Sequence, residues 1–376
     1  MVYLNSNFLY GNEFKFVKGT LVIEDGMIKG FTNEHNLKTI NYRGLVIPPL
    51  INAHTHIGDS AIKDIGIGKT LDELVKPPNG LKHKFLNSCS DKELVQGMSE
   101  GLYELENNGV KAFCDFRENG IKGINLFKQA FKSSNSSITP IILGRPTKND
   151  EKHLKEEISL ILDSCEGLGL SGSNEYSNLE LKLICKVFKR KNNKIFSIHA
   201  NEHKGSVDYS KEKYGLSEIE RLIKLKVKPD FIIHATHSSS EDISLIKENN
   251  IPIVVCPRAN SSFNIGLPDV LKLHESGILL GIGTDNFMAN SPSLFKEMDF
   301  IYKIYHLNPK EILKMATKNS ALILGLENVG LIDEGYKGIF TFIKNDNILK
   351  TSKNMVASVV TRLENGDVDK SFLNFK

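Results

Sequence analysis

The stretch Asn52-Ala53-His54-Thr55-His56 arrives straight after the apolar run Leu45-Val46-Ile47-Pro48-Pro49-Leu50-Ile51. Alternate side chains of a strand share one face, so His54 and His56 can reach a single metal ion together. Two ligands do not make a site, but three further apolar runs end in residues of the same kind. These are Ile195-Phe196-Ser197-Ile198-His199, with Glu202 just beyond, Phe231-Ile232-Ile233-His234, and Ile278-Leu279-Leu280-Gly281-Ile282-Gly283-Thr284-Asp285. Three imidazoles and one carboxylate form a nitrogen and oxygen set suited to zinc, iron or manganese rather than to a thiolate-type structural site. A divalent ion held this way lowers the pKa of a bound water toward ~7, which supplies a metal-bound hydroxide as nucleophile at neutral pH. Glu202, three residues after His199, is placed to move protons, and His234 to hold or polarise the attacked group. A lone H-x-H is a weak signal, and the order of the four segments carries more weight than any member.

Such residues need a scaffold that gathers strand ends, and the chain between residues 49 and 320 alternates strand and helix signals. Ser90-x-x-Glu93 opens a helix through Leu94, Met98, Leu102 and Leu105 as a capping box, and Asn107-Asn108-Gly109 stops it. Val110 to Asp115 reads as a second strand, Ile138 to Gly144 as a third and Leu168-Gly169-Leu170 as a short fourth. His199 and His234 end the fifth and sixth, Ile251 to Cys256 is the seventh, and the eighth ends at Asp285. Helices fit at Ser217 to Lys224, Ser240 to Glu248 and Pro309 to Ala316. Eight strands with chemistry at their carboxyl ends, in about 240 residues, match a (β/α)8 TIM barrel of the usual ~250. Lys69 to Lys84, which contains Pro77-Pro78-Asn79-Gly80, has weak periodicity and reads as a loop or lid.

Both termini look different. Short alternating segments at 14–18, 19–23 and 27–31 surround Asp25-Gly26, a strong hairpin signal. Near the other end, Gly338 to Ile343 and Met355 to Thr361 read as strands, with Asn365-Gly366 as a turn. Pairing the two ends would hide their edges. The expected organisation is an α/β chain with a composite β-sandwich from 1–48 and 321–376 and a barrel from 49–320.

Composition narrows the partners. Of 376 residues, 40% are hydrophobic and 25% charged, which allows a sizeable core. A formal net charge of +3, with dispersed lysines, argues against a nucleic-acid partner, and the tract Lys186 to Lys191 reads as a solvated helix end. Five cysteines, scattered and odd in number, suggest neither disulfides nor a thiolate zinc site. No apolar run approaches ~18 residues and no leader-like start is visible, so a membrane role is not expected and a cytoplasmic location is the simplest one. A small-molecule substrate is expected, and a homo-oligomer stays open.

Taken together, the chain resembles the amidohydrolase superfamily, in its cytosine-deaminase-like and chlorohydrolase-like branch. The resemblance rests on Pro48 to His56, His199-x-x-Glu202, His234-Ala235-Thr236-His237, Cys256-Pro257-Arg258-Ala259-Asn260, Gly283-Thr284-Asp285 and Ala316 to Ala321. It implies that His54, His56 and His199 bind the metal, and that Asp285 binds it while taking a proton from the attacking water. It implies that Glu202 relays protons to the substrate and that His234 orients the water or the attacked group. Pro49 stands where that family usually has glycine. Binuclear relatives bridge their ions with a lysine at the end of the fourth strand; residues 167–177 hold none, which favours one ion, zinc before iron or manganese, with Glu175 as the candidate for a second. His234 is preferred to His237 because it terminates the apolar run. His203, His35, His83, His153, His274 and His306 read as surface residues, with His83 placed in the lid, and Arg145 and Asn286 are candidate substrate contacts.

The expected activity is deamination of an aminated, nucleobase-like heterocycle, a hydrolysis of a carbon–nitrogen bond other than a peptide bond. Cyclic amide hydrolysis or a chlorohydrolase-type displacement on the same site is the alternative, and a metal-free binding or scaffold relative is the alternative from another class.

Overall fold

The computed structural model describes residues 1–33, 38–75, 80–148 and 150–372. His35 and the Pro77-Pro78-Asn79 part of the expected lid lie outside them. Eight parallel strands form the expected barrel: strand 1 (Leu50–His56), 2 (Val110–Arg117), 3 (Thr139–Gly144), 4 (Gly167–Leu170), 5 (Ile195–Ala200), 6 (Phe231–His234), 7 (Ile253–Val255) and 8, split into Leu280–Ile282 and Asp285–Asn286. The split closes the ring. The first half of strand 8 pairs with strand 7 and the second half pairs with strand 1, at Asp285 opposite Thr55.

Asn52 holds that junction. Its side-chain amide donates to Thr284 Oγ1 at 2.7 Å, and its oxygen accepts from the Thr284 N–H at 3.1 Å. Gly283 is required at the crossing, because a Cβ there would stand 2.6 Å from the His54 Cβ. The strands are buried on both faces, as a parallel sheet wrapped by helices demands. The helices begin where the sequence signals them: Asp91–Asn107 behind the Ser90/Glu93 capping box, Glu218–Lys224 behind a second box at Ser217 and Glu220, then Ser240–Glu248 and Pro309–Ala316.

A separate five-stranded sheet draws on both termini. Its order is Thr341–Ile343, Ile40–Ile47, Val2–Tyr10, Lys15–Glu24, Met27–Thr32. Asp25 and Gly26 both take positive φ (51° and 74°), the backbone a tight hairpin turn requires. Leu4, Phe8, Leu21, Ile28, Val46 and Phe342 make a core distinct from that of the barrel. Pro48 and Pro49 separate the strand Ile40–Ile47 from barrel strand 1, so the chain passes from one sheet to the other across a pair that cannot continue a ladder.

The structure changes three expectations. Met355–Arg362 is a helix, not a strand. Its β-branched valines suggested a strand, but Asn354 caps it by accepting from the Ala357 N–H at 3.0 Å, and the buried Val356, Val359 and Val360 follow helical spacing. They pack into the barrel core, against the helices Leu294–Tyr305 and Pro309–Ala316. The expected turn at Asn365-Gly366 is a short 3-10 turn, Asn365–Asp367. The lid region likewise holds two short helices, Leu71–Val75 and Leu81–Ser88, rather than loop alone.

Thr341 joins the two cores: its hydroxyl donates to the Gly109 carbonyl at 2.8 Å and accepts from the Leu50 N–H at 3.4 Å. Thr341→Val leaves both buried backbone groups unpaired and is expected to lower unfolding stability by about 1–3 kcal/mol, read as a lower urea midpoint with an unchanged slope.

Candidate active site

All four chemistry-bearing segments end at the carboxyl mouth of the barrel, and their side chains converge. His54 Nε2 lies 3.2 Å from His199 Nε2 and 3.4 Å from Asp285 Oδ1, and His56 Nε2 lies 3.5 Å from the same oxygen. Two ligands of a tetrahedral zinc ion, each about 2.1 Å from it, stand about 3.4 Å apart. The spacing therefore fits the group. His54, His56 and His199 form one set whose ligand atoms all lie within 4.8 Å of one another, and His54, His234 and Asp285 form a second. All five side chains are buried.

The electrostatics suit the same purpose. Burial pushes the His54 imidazole down to about 4 against the pull of Asp285, and burial with neighbouring rings pushes His199 well below its ordinary value. Both rings are neutral near pH 7, with lone pairs available to a cation. His199 Nδ1 faces the Leu170 carbonyl at 2.9 Å, which places its proton there and leaves Nε2 for the centre. Burial alone would raise the Asp285 carboxyl, but the hydrogen bond from His54 and the surrounding imidazoles hold it far below the usual carboxylate range.

Glu202 has the opposite character. Burial, joined by the charges of Asp285, Glu218 and Glu175, pushes its pKa well above the usual value and favours the protonated form. Its Oε1 lies 3.6 Å from His234 Nε2, whose other nitrogen is 3.1 Å from Asn260 Oδ1. His234 Nε2 also stands 3.8 Å from Asp285 Oδ2. It is a buried polar atom with no hydrogen-bond partner among the described residues, aimed at the centre. His237 faces away, bonded through Nε2 to the Ile265 carbonyl at 2.6 Å. Several of these residues hold strained backbone: His234 has φ 73°, Asp285 φ 60° and Asn201, just before Glu202, φ 50°.

A cavity of about 570 Å³ opens above the cluster, within the range of small-molecule sites. Arg145 and Asn286, the candidate substrate contacts, both line it, and so do His83, from the segment read as a lid, and His203, which the sequence placed at the surface. His203 caps the helix Lys204–Tyr214, and His83 Nε2 meets the Val75 carbonyl at 2.8 Å. His153 and His306 are exposed and His274 is partly so. Glu175 lines the cavity but joins no metal-ligating group among the described residues.

Sequence reasoning missed the buried charges around the site. Asp59, Lys82, Asp115, Arg117 and Glu118 form a chain beside His56, with Lys82 Nζ 2.8 Å from Glu118 and 3.2 Å from Asp59. Burial would raise the Glu118 carboxyl, but Lys82 and Arg117 hold it well below its usual range. Arg117-Glu118 ends the second strand and answers to the same strand-end rule that found the histidines. Nothing in the sequence around Lys82 marks it. Glu218 is a second omission: its carboxylate accepts from the Asn201 N–H and the Ser206 hydroxyl, both at 2.8 Å, and from Ser173 at 3.2 Å. It braces the loop that carries Glu202.

A closed parallel barrel with neutral imidazoles and an ionised aspartate at its carboxyl mouth defines a metal-assisted hydrolase. The chain belongs to the amidohydrolase family, whose sequence profile matches residues 45–374. It is a hydrolase acting on carbon–nitrogen bonds other than peptide bonds, with a His/His/His/Asp metal-binding site. An uncharacterised protein of Methanocaldococcus jannaschii is 60% identical over 370 residues, covering 97% of this chain and 96% of that one. A 5-methylthioadenosine/S-adenosylhomocysteine deaminase of Pyrococcus furiosus is 27% identical over 404 residues, covering 100% and 94%. Atrazine chlorohydrolase TrzN from Arthrobacter aurescens TC1, solved in complex with zinc, shares the fold with a TM-score of 0.83 at 16% identity, over 98% of this chain and 95% of that one. No helix among the described residues is long and apolar enough to cross a membrane.

Glu218→Ala would leave three donors without their acceptor in the wall of the cavity. It is expected to lower unfolding stability by about 3 kcal/mol, measured by chemical denaturation.

Proposed function

We propose that this chain is a deaminase of an aminated heterocycle that works with one zinc ion. The observation that carries the reading is the pairing of opposite carboxyl states around His234: Asp285 held ionised and Glu202 held protonated, on either side of one buried imidazole. Environments that push two acids apart in this way assign a base and an acid. The deaminase of Pyrococcus furiosus and the zinc in the triazine enzyme support substrate class and metal.

His54, His56, His199 and Asp285 would hold the ion, which when bound polarises water so that it is a nucleophile near neutral pH. Asp285 takes a proton as the water oxygen adds to the ring carbon bearing the amino group. Glu202 protonates the adjacent ring nitrogen, which has gained the electron pair of the attacked double bond. His234, held by Asn260, orients the oxygen. The carbon–nitrogen bond then breaks as the amino nitrogen accepts the proton Asp285 took, and ammonia leaves. Loss of the hydroxyl proton to the ionised Glu202 restores that acid and gives the oxo-substituted ring, which keeps the proton placed on its nitrogen. The cavity, lined by Arg145, His83 and Tyr209 beyond the reacting centre, admits a substrate larger than a bare ring.

The test is a panel of aminated purines, pyrimidines, pterins and triazines scored for ammonia, with elemental analysis of the protein. One equivalent of zinc and ammonia from at least one compound are expected, and chelation should abolish turnover reversibly. Asp285→Asn should abolish turnover while the fold survives, and Glu202→Gln should lower kcat by about 10²–10⁴. Full activity in Asp285→Asn, or protein that neither contains nor takes up metal, would overturn the reading.

A further inference from the structure

Two of the three imidazoles at the centre turn their second nitrogen to an outer partner. His199 Nδ1 is hydrogen-bonded to the Leu170 carbonyl at 2.9 Å, and His56 Nδ1 stands within ion-pair distance of Glu118 Oε1, at 3.2 Å. Neither His54 Nδ1 nor His56 Nδ1 makes a hydrogen bond among the described residues, but His56 Nδ1 has the Glu118 carboxylate beside it. A histidine that binds metal keeps its orientation and basicity through such a partner. For His56 that partner is a buried carboxylate, and its position is itself constrained.

Lys82 Nζ lies 2.8 Å from the Glu118 oxygen that faces His56, and Arg117 bonds the other oxygen. The same ammonium stands 3.2 Å from Asp59 Oδ2. Asp59 in turn accepts from the Asn286 amide at 2.7 Å and the Met288 N–H at 3.1 Å. Lys82 thus joins two buried carboxylates on opposite flanks of the centre, one behind His56 and one beside Asp285 through its neighbour Asn286. It is 4% exposed, a burial lysine rarely tolerates without partners. It also comes from the helix Leu81–Ser88, whose Lys82 and His83 line the cavity.

We propose that Glu118 is the carboxylate that orients His56 toward the metal and that Lys82 is a positioning residue that fixes Glu118, so that metal retention depends on the docking of helix Leu81–Ser88. This rests on the metal reading of the centre. Without the ammonium, Arg117 alone holds Glu118, from the oxygen turned away from His56.

The test compares zinc dissociation constants of the full-length protein, by competition with a chromophoric chelator, for wild type, Glu118→Gln, Glu118→Asp, Lys82→Met and the double variant Lys82→Met/Glu118→Gln. Glu118→Asp keeps every charge but withdraws the carboxylate by one methylene, so it reports on His56 even where Glu118→Gln fails to fold. Both substitutions at 118 are expected to weaken zinc by about 10–100-fold. Lys82→Met should weaken it in the same direction, and by a smaller factor once Glu118 is already glutamine. Zinc constants like wild type in the folded variants at 118 would overturn the role of Glu118, and fully additive effects would overturn that of Lys82. A wild type that holds no zinc would instead bring down the metal reading itself, and this inference with it.

Discussion

At the mouth of the barrel, buried ring nitrogens and a carboxylate crowd one small space. The imidazoles of His54 and His199 face each other at 3.2 Å, and Asp285 Oδ1 stands 3.4 Å from His54 and 3.5 Å from His56 in a buried pocket, an arrangement that is costly unless a cation joins it or protons are taken up. Burial opposes the protons by lowering the imidazole pKa values, so the scaffold must hold the side chains against that cost. It does this through the closing strand. Asn52 ties Thr284 to strand 1, Gly283 allows the backbones to cross, and Asp285 is then presented from a left-handed backbone that no free strand would adopt.

The loops above the centre are braced by buried charge rather than by apolar packing alone. Glu218 gathers a backbone N–H and two hydroxyls. Arg221, on the same helix, donates to Asn178 and to the carbonyls of Ser173 and Tyr176. One short helix thus pins both the loop after strand 4 and the loop that carries Glu202. On the other side, the chain from Asp115 to Lys82 performs the same service for His56. Groups this deeply buried are destabilising when one partner is removed, and that penalty keeps the geometry narrow. Such preorganisation suits a reaction in which protons must move between fixed oxygens and nitrogens.

Much of this is legible along the chain where the signal is local. Alternation in Asn52 to His56, the capping boxes at Ser90 and Ser217, and the Asp25-Gly26 turn each specify structure through neighbouring residues. Strand ends likewise point to His199, His234 and Asp285. The reading fails where distant packing decides. Met355 to Thr361 is rich in β-branched residues, yet it is helical because the barrel offers a surface for Val356, Val359 and Val360 at helical spacing. Lys82 looks like any lysine on a short helix, since nothing nearby shows that two carboxylates from elsewhere will close around it.

The sequence by itself determined the candidate chemical groups, their order along the chain and the kind of scaffold that gathers strand ends, because periodicity and residue chemistry are properties of short stretches. Only the tertiary structure decided which carboxyl burial and neighbouring charge push up and which they push down, and which buried ions surround them. Those properties depend on desolvation and on charges brought close across tens or hundreds of residues, and neither exists until the barrel has closed.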